Sequence, residues 1–146
     1  MSMFLALVDA VVAALQQVPA VAGGRIVRGR DIPLPVEHDS GVAVSLLRSR
    51  GDAVGLHGNA RQWQTSVGVQ LSARAAAGAD AEAAIDPLLM SAYERLQGLT
   101  PPAGSGVTSV TLEPSITWEV DEGDRPVATA TLVVSITHLT TTATLE

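Results

Sequence analysis

The chain of 146 residues contains no cysteine and no lysine. Without cysteine there can be neither a disulfide framework nor a thiolate metal site, and the redox compartment stays open. Without lysine all nine cations are Arg, and nothing in the residues accounts for that choice. Aromatic residues are scarce: one Phe and one Tyr accompany two Trp. Excess positive charge is missing too, since the formal net charge is −6, and a general nucleic-acid binder needs clustered cations to meet phosphates. No long apolar run occurs. The first 22 residues end in Ala20-Val21-Ala22, like a signal-peptide cleavage site, but no cation precedes Arg25, and Asp9, Gln16 and Gln17 interrupt the apolar segment. Its reading is a folded helix, and its length and interruptions also argue against a membrane span.

What the chain does have is alternation. Val110, Leu112, Ile116, Trp118 and Val120 alternate with Thr111, Glu113, Ser115, Thr117 and Glu119. After the acidic turn Asp121-Glu122-Gly123-Asp124, Ala128, Ala130, Leu132, Val134 and Ile136 alternate with Thr, Ser and Val133. A period of two with one apolar phase predicts an antiparallel hairpin, residues 110–120 against 127–139, with one buried face. Trp118 and Trp63 both fall on the apolar phase and are expected as core anchors rather than ligand-stacking platforms.

Upstream, Phe4, Val8, Val11, Val12, Leu15 and Val18 recur at steps of three and four, predicting one buried face of a helix over residues 3–18, ended by Pro19. Gly23-Gly24 turns the chain into a short extended segment, residues 25–28. The following Ile32-Pro33-Leu34-Pro35 can be at most an edge strand. A strand is expected over residues 41–50, with Val42, Val44 and Leu46 on one face, then a mobile glycine-containing loop over residues 51–60, then a long strand beginning near Trp63. A second helix covers residues 80–97. Either Asp80 caps it and Pro87 lies inside, or Asp86-Pro87 is its start. Residues 99–106, rich in Pro and Gly, form a loop. The expected fold is α+β: two helices packed on a mainly antiparallel sheet, one domain over residues 1–139, with a Thr-rich flexible tail at 140–146 in which Leu145-Glu146 reads as a cloning remnant.

Chemistry is thin. His38, Asp39 and Ser40 supply the residue types of a hydrolytic triad, but adjacent residues cannot form a relay whose members must converge in space. His57 and His138 lack partners at metal-ligand spacings. Gly51, Gly55 and Gly58 lack the Gly-Lys-Ser/Thr ending of a phosphate loop. Glu113 and Glu119, on one polar strand face, would stand roughly 20 Å apart, too far for paired glycosidic catalysis. No catalytic, cofactor or metal residue is therefore assigned, and the expectation is a protein that is not an enzyme.

Charge is instead divided along the chain. Residues 1–75 hold seven Arg and five acids, +2; residues 76–146 hold two Arg and ten acids, −8. Arg25, Arg28 and Arg30 surround the glycine turn, and Arg48 and Arg50 flank the glycine loop. These five are candidate contacts to Asp121, Glu122 and Asp124 of a neighbouring copy, or to a partner assembly, with intrachain pairing or plain solvation as the alternative.

The order of elements, with Arg25 to Arg30 and Asp31-Ile32-Pro33 before a Val-rich strand, Arg61-Gln62-Trp63-Gln64-Thr65 opening the long strand, the second helix, and a hairpin with Trp118 and a last strand ending Val134-Ser135-Ile136-Thr137-His138, resembles the lambda-like tail terminator proteins of long-tailed phages. The similarity covers nearly the whole chain. It departs at the His-ending strand and Thr-rich tail, where an aromatic ending would be usual. The resemblance implies a hexameric ring that caps the tail tube, ends its polymerisation and meets the head connector or neck protein. Its partners would be further copies of itself, the major tail tube protein and the connector, with no cofactor and no membrane. Its location would be the head-proximal end of the virion tail, after assembly in the bacterial cytoplasm. DNA would pass through the lumen without specific binding, and six copies at −6 give −36 formally, an acidic lumen that would not retain it. The neighbouring expectation is a neck or head-completion protein; from another class, a small-ligand-binding or hydrolytic α+β domain would use His38 or His57.

Overall fold

The computed structural model describes all residues except 1, 56, 57, 102–104, 142–144 and 146, so His57 and most of the Thr-rich tail lie outside the described residues. The chain forms α1 (Met3–Gln16), a 3-10 turn (Val21–Gly24), β1 (Ile26–Arg28), β2 (Ser40–Ala53), β3 (Arg61–Arg74), α2 (Ala81–Gln97), β4 (Val107–Leu112), β5 (Thr117–Asp121) and β6 (Val127–Thr140). It is a single α+β domain in which two helices pack on an open six-stranded sheet. The strand order is β1-β2-β3-β6-β4, with β5 beside β4 along the other half of β6; every pairing is antiparallel except β1 with β2.

Alternation decides which residues meet the helices. On β3, Thr65, Val67, Val69, Leu71 and Ala73 are buried, and on β6 so are Ala128, Ala130, Leu132, Val134, Ile136 and His138. The cross-strand register puts these two sets opposite one another. Above them lie Leu7, Val8, Val11 and Leu15 of α1, and Ile85, Ala92 and Leu96 of α2. Each large side chain so enclosed contributes about 1.5–3 kcal/mol over its exposed state, which makes the β3–β6 pair under the helices the stable centre.

The helix ends have local causes. Asp80 is the N-cap of α2, its carboxylate accepting from the Glu82 amide at 3.0 Å, so Pro87 lies inside the helix. The last turn of α2 is tied to the chain leaving α1, because the Arg95 guanidinium donates to the Gln17 carbonyl at 2.5 Å and to the Pro19 carbonyl. Helix α1 stops at Gln16, and Val18, expected on its buried face, is 95% exposed beyond the end.

Four further expectations are corrected. The first arm of the C-terminal hairpin is two strands, because Pro114 lacks the amide needed to continue the ladder; β4 and β5 flank different halves of β6. Trp118 is not a core anchor. It sits on the helix-facing phase of β5 at 48% exposure, with Val120 at 41%, because α2 packs on β3 and β6 and nothing among the described residues covers the strand beyond. Residues 51–53 belong to β2, pairing with Trp63, Gln62 and Arg61, so the expected loop is shorter by three residues. Thr140 ends β6 rather than starting a loose tail: it is buried and its Oγ1 accepts from Trp63 Nε1 at 3.0 Å, while the Leu145 carbonyl accepts from the Met3 amide at 2.8 Å.

Candidate assembly surfaces

Two corners of the sheet carry the surface charge that no local partner absorbs. The basic corner depends on a bulge. Val42, Val44 and Leu46 alternate toward the helices, and an uninterrupted strand would drive Arg48 and Arg50 into the same face. The register shifts between Leu46 and Arg48, so Leu47 is the extra residue, its side chain lying over Gly68 on the opposite face. Beyond the bulge the phases exchange. Ser49 and Gly51 face inward, where the Trp63 ring covers Gly51 so closely that an added Cβ would meet it at 2.7 Å. Arg48 and Arg50 stand opposite Ser66 and Gln64 on the bare face of the sheet, both exposed and without an ion-pair partner among the described residues. Arg61, opposite Ala53, adds a third cation, bonded only to the Ala60 carbonyl. Asp52 is the acid within this group, so the corner keeps a formal +2.

The acidic corner lies diagonally across the sheet. Glu119 and Asp121 occupy the bare face of β5, and Glu122 and Asp124 follow in the turn to β6, all exposed. Arg125 does not neutralise them, because its guanidinium bonds the Asp39 carboxylate at 2.9 Å and the Ala75 carbonyl at 3.3 Å. Asp121 pairs with Val127, and Arg50 lies level with Thr137 through Gln64. Ten residues along β6 and three strand spacings therefore separate the corners, roughly 33 Å along and roughly 14 Å across. No ion pair within one chain can join them.

The other predicted cations divide. Arg25 bonds the Ser40 carbonyl and Ser40 Oγ, both at 2.8 Å, fixing the start of β2, and Arg28 pairs with Asp9 of α1. Both are thus engaged within the chain, and of the first cluster Arg30 alone is exposed without an ion-pair partner among the described residues. Arg74, Arg95 and Arg125, which sequence reasoning did not single out, hold backbone carbonyls. Arg74 gathers those of Leu34, Pro35 and His38 and folds the proline segment over the sheet. Only the Pro-Leu-Pro run, whose carbonyls no strand partner takes, could have signalled that need.

The possible chemical groups do not converge. Asp39 bonds Arg125 and Ser40 Oγ accepts from Arg25, and no side-chain hydrogen bond joins either to His38. A cleft of about 250 Å³ under the proline segment is lined mainly by apolar groups, among them Ile26, Ile32, Leu34 and Val42, with His38 at its edge. Among the described residues no three His, Asp or Glu side chains are grouped to hold a metal, and no helix is long and apolar enough to cross a membrane. His138 is fully buried at the end of β6. Its Nε2 shares a 2.9 Å hydrogen bond with Thr65 Oγ1, which also meets Ser49 Oγ at 2.9 Å, while Nδ1 has no partner. Phe4 stands edge-on to the imidazole and to Trp63. Burial lowers the His138 pKa, so the ring is a neutral member of the core. No protein-family model matches this chain, and no curated protein matches it in sequence.

Proposed function

We propose that this protein is a structural subunit of phage assembly: a tail-terminator-type protein that closes into a ring on the end of the tail tube, stops its growth and presents a surface to the head connector. The observation that carries this reading is the diagonal separation of charge. A ring built from one kind of subunit needs two unlike faces that fit each other, and a chain with a basic corner at β2–β3 and an acidic corner at β5–β6 has such a pair. The absence of converging nucleophile, base and oxyanion donors among the described residues supports an assembly role over a hydrolytic one. A net −6 per subunit fits a conduit that DNA traverses without being held.

Tail tubes grown from the tube protein of the same phage test the proposal. The purified chain is expected to bind tube ends as a ring in electron micrographs and to fix tube length when added during growth. Tubes that bind none of it at any salt concentration would overturn the reading. The informative charge variant is the pair Arg48→Glu and Arg50→Glu rather than a change at Arg28, whose link to Asp9 joins β1 to α1. The double variant should fold as the parent does and fail to cap.

A further inference from the structure

Among the described residues nothing covers the helix-facing side of β5, and its surroundings say what would cover it. The flank of α2 that faces β1 is occupied: Arg95 reaches from it to the carbonyls of Gln17 and Pro19. At 100° per residue, Glu82, Asp86, Leu89 and Tyr93 fall on the other flank, toward β5 and β4. Tyr93 at 41% exposure stands on that side of the helix, and Trp118 at 48% and Val120 at 41% stand on the strand beside it. Between the two elements is a depression of about 370 Å³ whose walls include Ala81, Glu82, Val120, Glu122 and Pro126. A groove that mixes apolar walls with carboxylates on both rims fits a segment that brings aliphatic surface and guanidinium groups together.

One exposed part of this same chain has that composition. The β2–β3 corner ends in Val54, itself 42% exposed, with Arg61 beside it opposite Ala53 and Arg50 and Arg48 following back along β2. By the separation given above, it cannot reach the groove of its own chain. We propose that the groove between α2 and β5 seats the β2–β3 corner of the next copy. Val54 lies against Trp118 and Val120, and the arginines meet Glu82 and Glu122 on the two rims. The contact is head-to-tail, so each bound copy leaves one free groove and one free corner, and repetition closes a ring when the rotation per copy divides a full turn. This deepens the assembly reading and rests on it. It also gives a use to a feature that has none inside one chain, an uncovered Trp on a core-facing phase.

The absence of native cysteine makes the test direct. Two single variants, Val54→Cys and Gly123→Cys, place one thiol on each proposed surface, and Gly123 has open space around its Cα. A short bismaleimide added to the mixed variants, at concentrations or on tube ends where the unaltered chain associates, should give a linked pair. Neither variant alone should give one, and the chain carrying both substitutions should give a ladder ending in a closed species. Trp118→Ala should weaken association at least about tenfold, as loss of a central aromatic anchor does, while its thermal midpoint stays close to the parent's. Linked pairs from either single variant alone would mean a two-fold contact and overturn the proposal. So would the lack of mixed product, or unchanged association of Trp118→Ala. If the chain assembles while these results fail, the assembly reading survives without this groove; if it neither self-associates nor binds tubes, both fall.

Discussion

Strands β5 and β6 lie side by side and alternate apolar and polar residues with equal regularity, yet they end in different environments. On β6 Ala130 and Leu132 are completely buried; on β5 Trp118, directly opposite Ala130, is half exposed. Both residues point to the same face of the same sheet. The difference lies in α2, which runs over β3 and β6 and stops short of the edge. Alternation therefore reports which face a side chain is on, and a separate element decides whether that face is covered. Where an apolar phase continues past its cover, as here, the surplus is left exposed.

The sharpest way to break this comparison is at its buried side. Leu132→Ala removes a side chain enclosed by α2 and the neighbouring strands, and the cost should be about 2–5 kcal/mol. Urea unfolding followed by far-UV circular dichroism measures it. A cost below about 1 kcal/mol would mean that the β6 face is no better covered than β5.

Most of this fold was legible in the residues because its dominant signals are local. The periods of α1, β3, α2 and β6 predict their own boundaries to within a few residues, whereas the residues alone leave the start of α2 open between Asp80 and Asp86-Pro87, and the Asp80 carboxylate accepting from the Glu82 amide decides it. What escaped depends on partners distant in sequence. Nothing around Trp118 states where α2 will lie. The bulge at Leu47 emerges only when β2 must pair with β3 while keeping Arg48 and Arg50 out of the core. Of the site itself, Arg48, Arg50, Asp121, Glu122 and Asp124 were recognisable as charges without an obvious use. Arg25 and Arg28 have the same sequence character, and only the fold shows them engaged by Ser40 and Asp9.

The far end of β6 gives the next effect, one that depends on pH. His138 is buried and its pKa is lowered by that burial, so the folded chain binds its proton less readily than the unfolded chain, where the ordinary value is about 6.5. Well above pH 6.5 the ring is neutral in both states and contributes no penalty. As pH falls through that value the unfolded state gains a proton that the folded state refuses, and stability drops by at most about 1.4 kcal/mol per pH unit. Unfolding free energies of the parent and of His138→Gln, compared between pH 7.5 and 5.5, isolate this contribution from the carboxylates common to both. Equal pH slopes would show that His138 is not protected from protonation.

A smaller loss is expected from Asp80→Ala. The carboxylate caps α2 through the Glu82 amide but is itself exposed, so its removal should cost about 1 kcal/mol. Because Ala81 and Glu82 wall the groove beside β5, the same variant should also loosen that rim, seen as faster amide exchange in the first turn of α2. Unchanged exchange there would mean the turn is held by packing alone.

The smallest change in stability should come from the largest side chain, and that contrast tests the comparison most directly. Trp118 retains about half of its surface in solvent, so truncation removes little burial and leaves little cavity. Trp118→Ala should cost about 1 kcal/mol or less, well under the effect at Leu132 despite the greater loss of volume. If Trp118 instead costs about 3–5 kcal/mol in the isolated chain, as buried aromatic residues do, then β5 is covered within the monomer and has no surplus face to offer a second copy. If the cost is small in dilute solution but large once the protein is concentrated or bound to tube ends, the missing cover is supplied by assembly. The order of the two effects, Leu132 first in the monomer and Trp118 only in the assembled state, follows from where α2 ends.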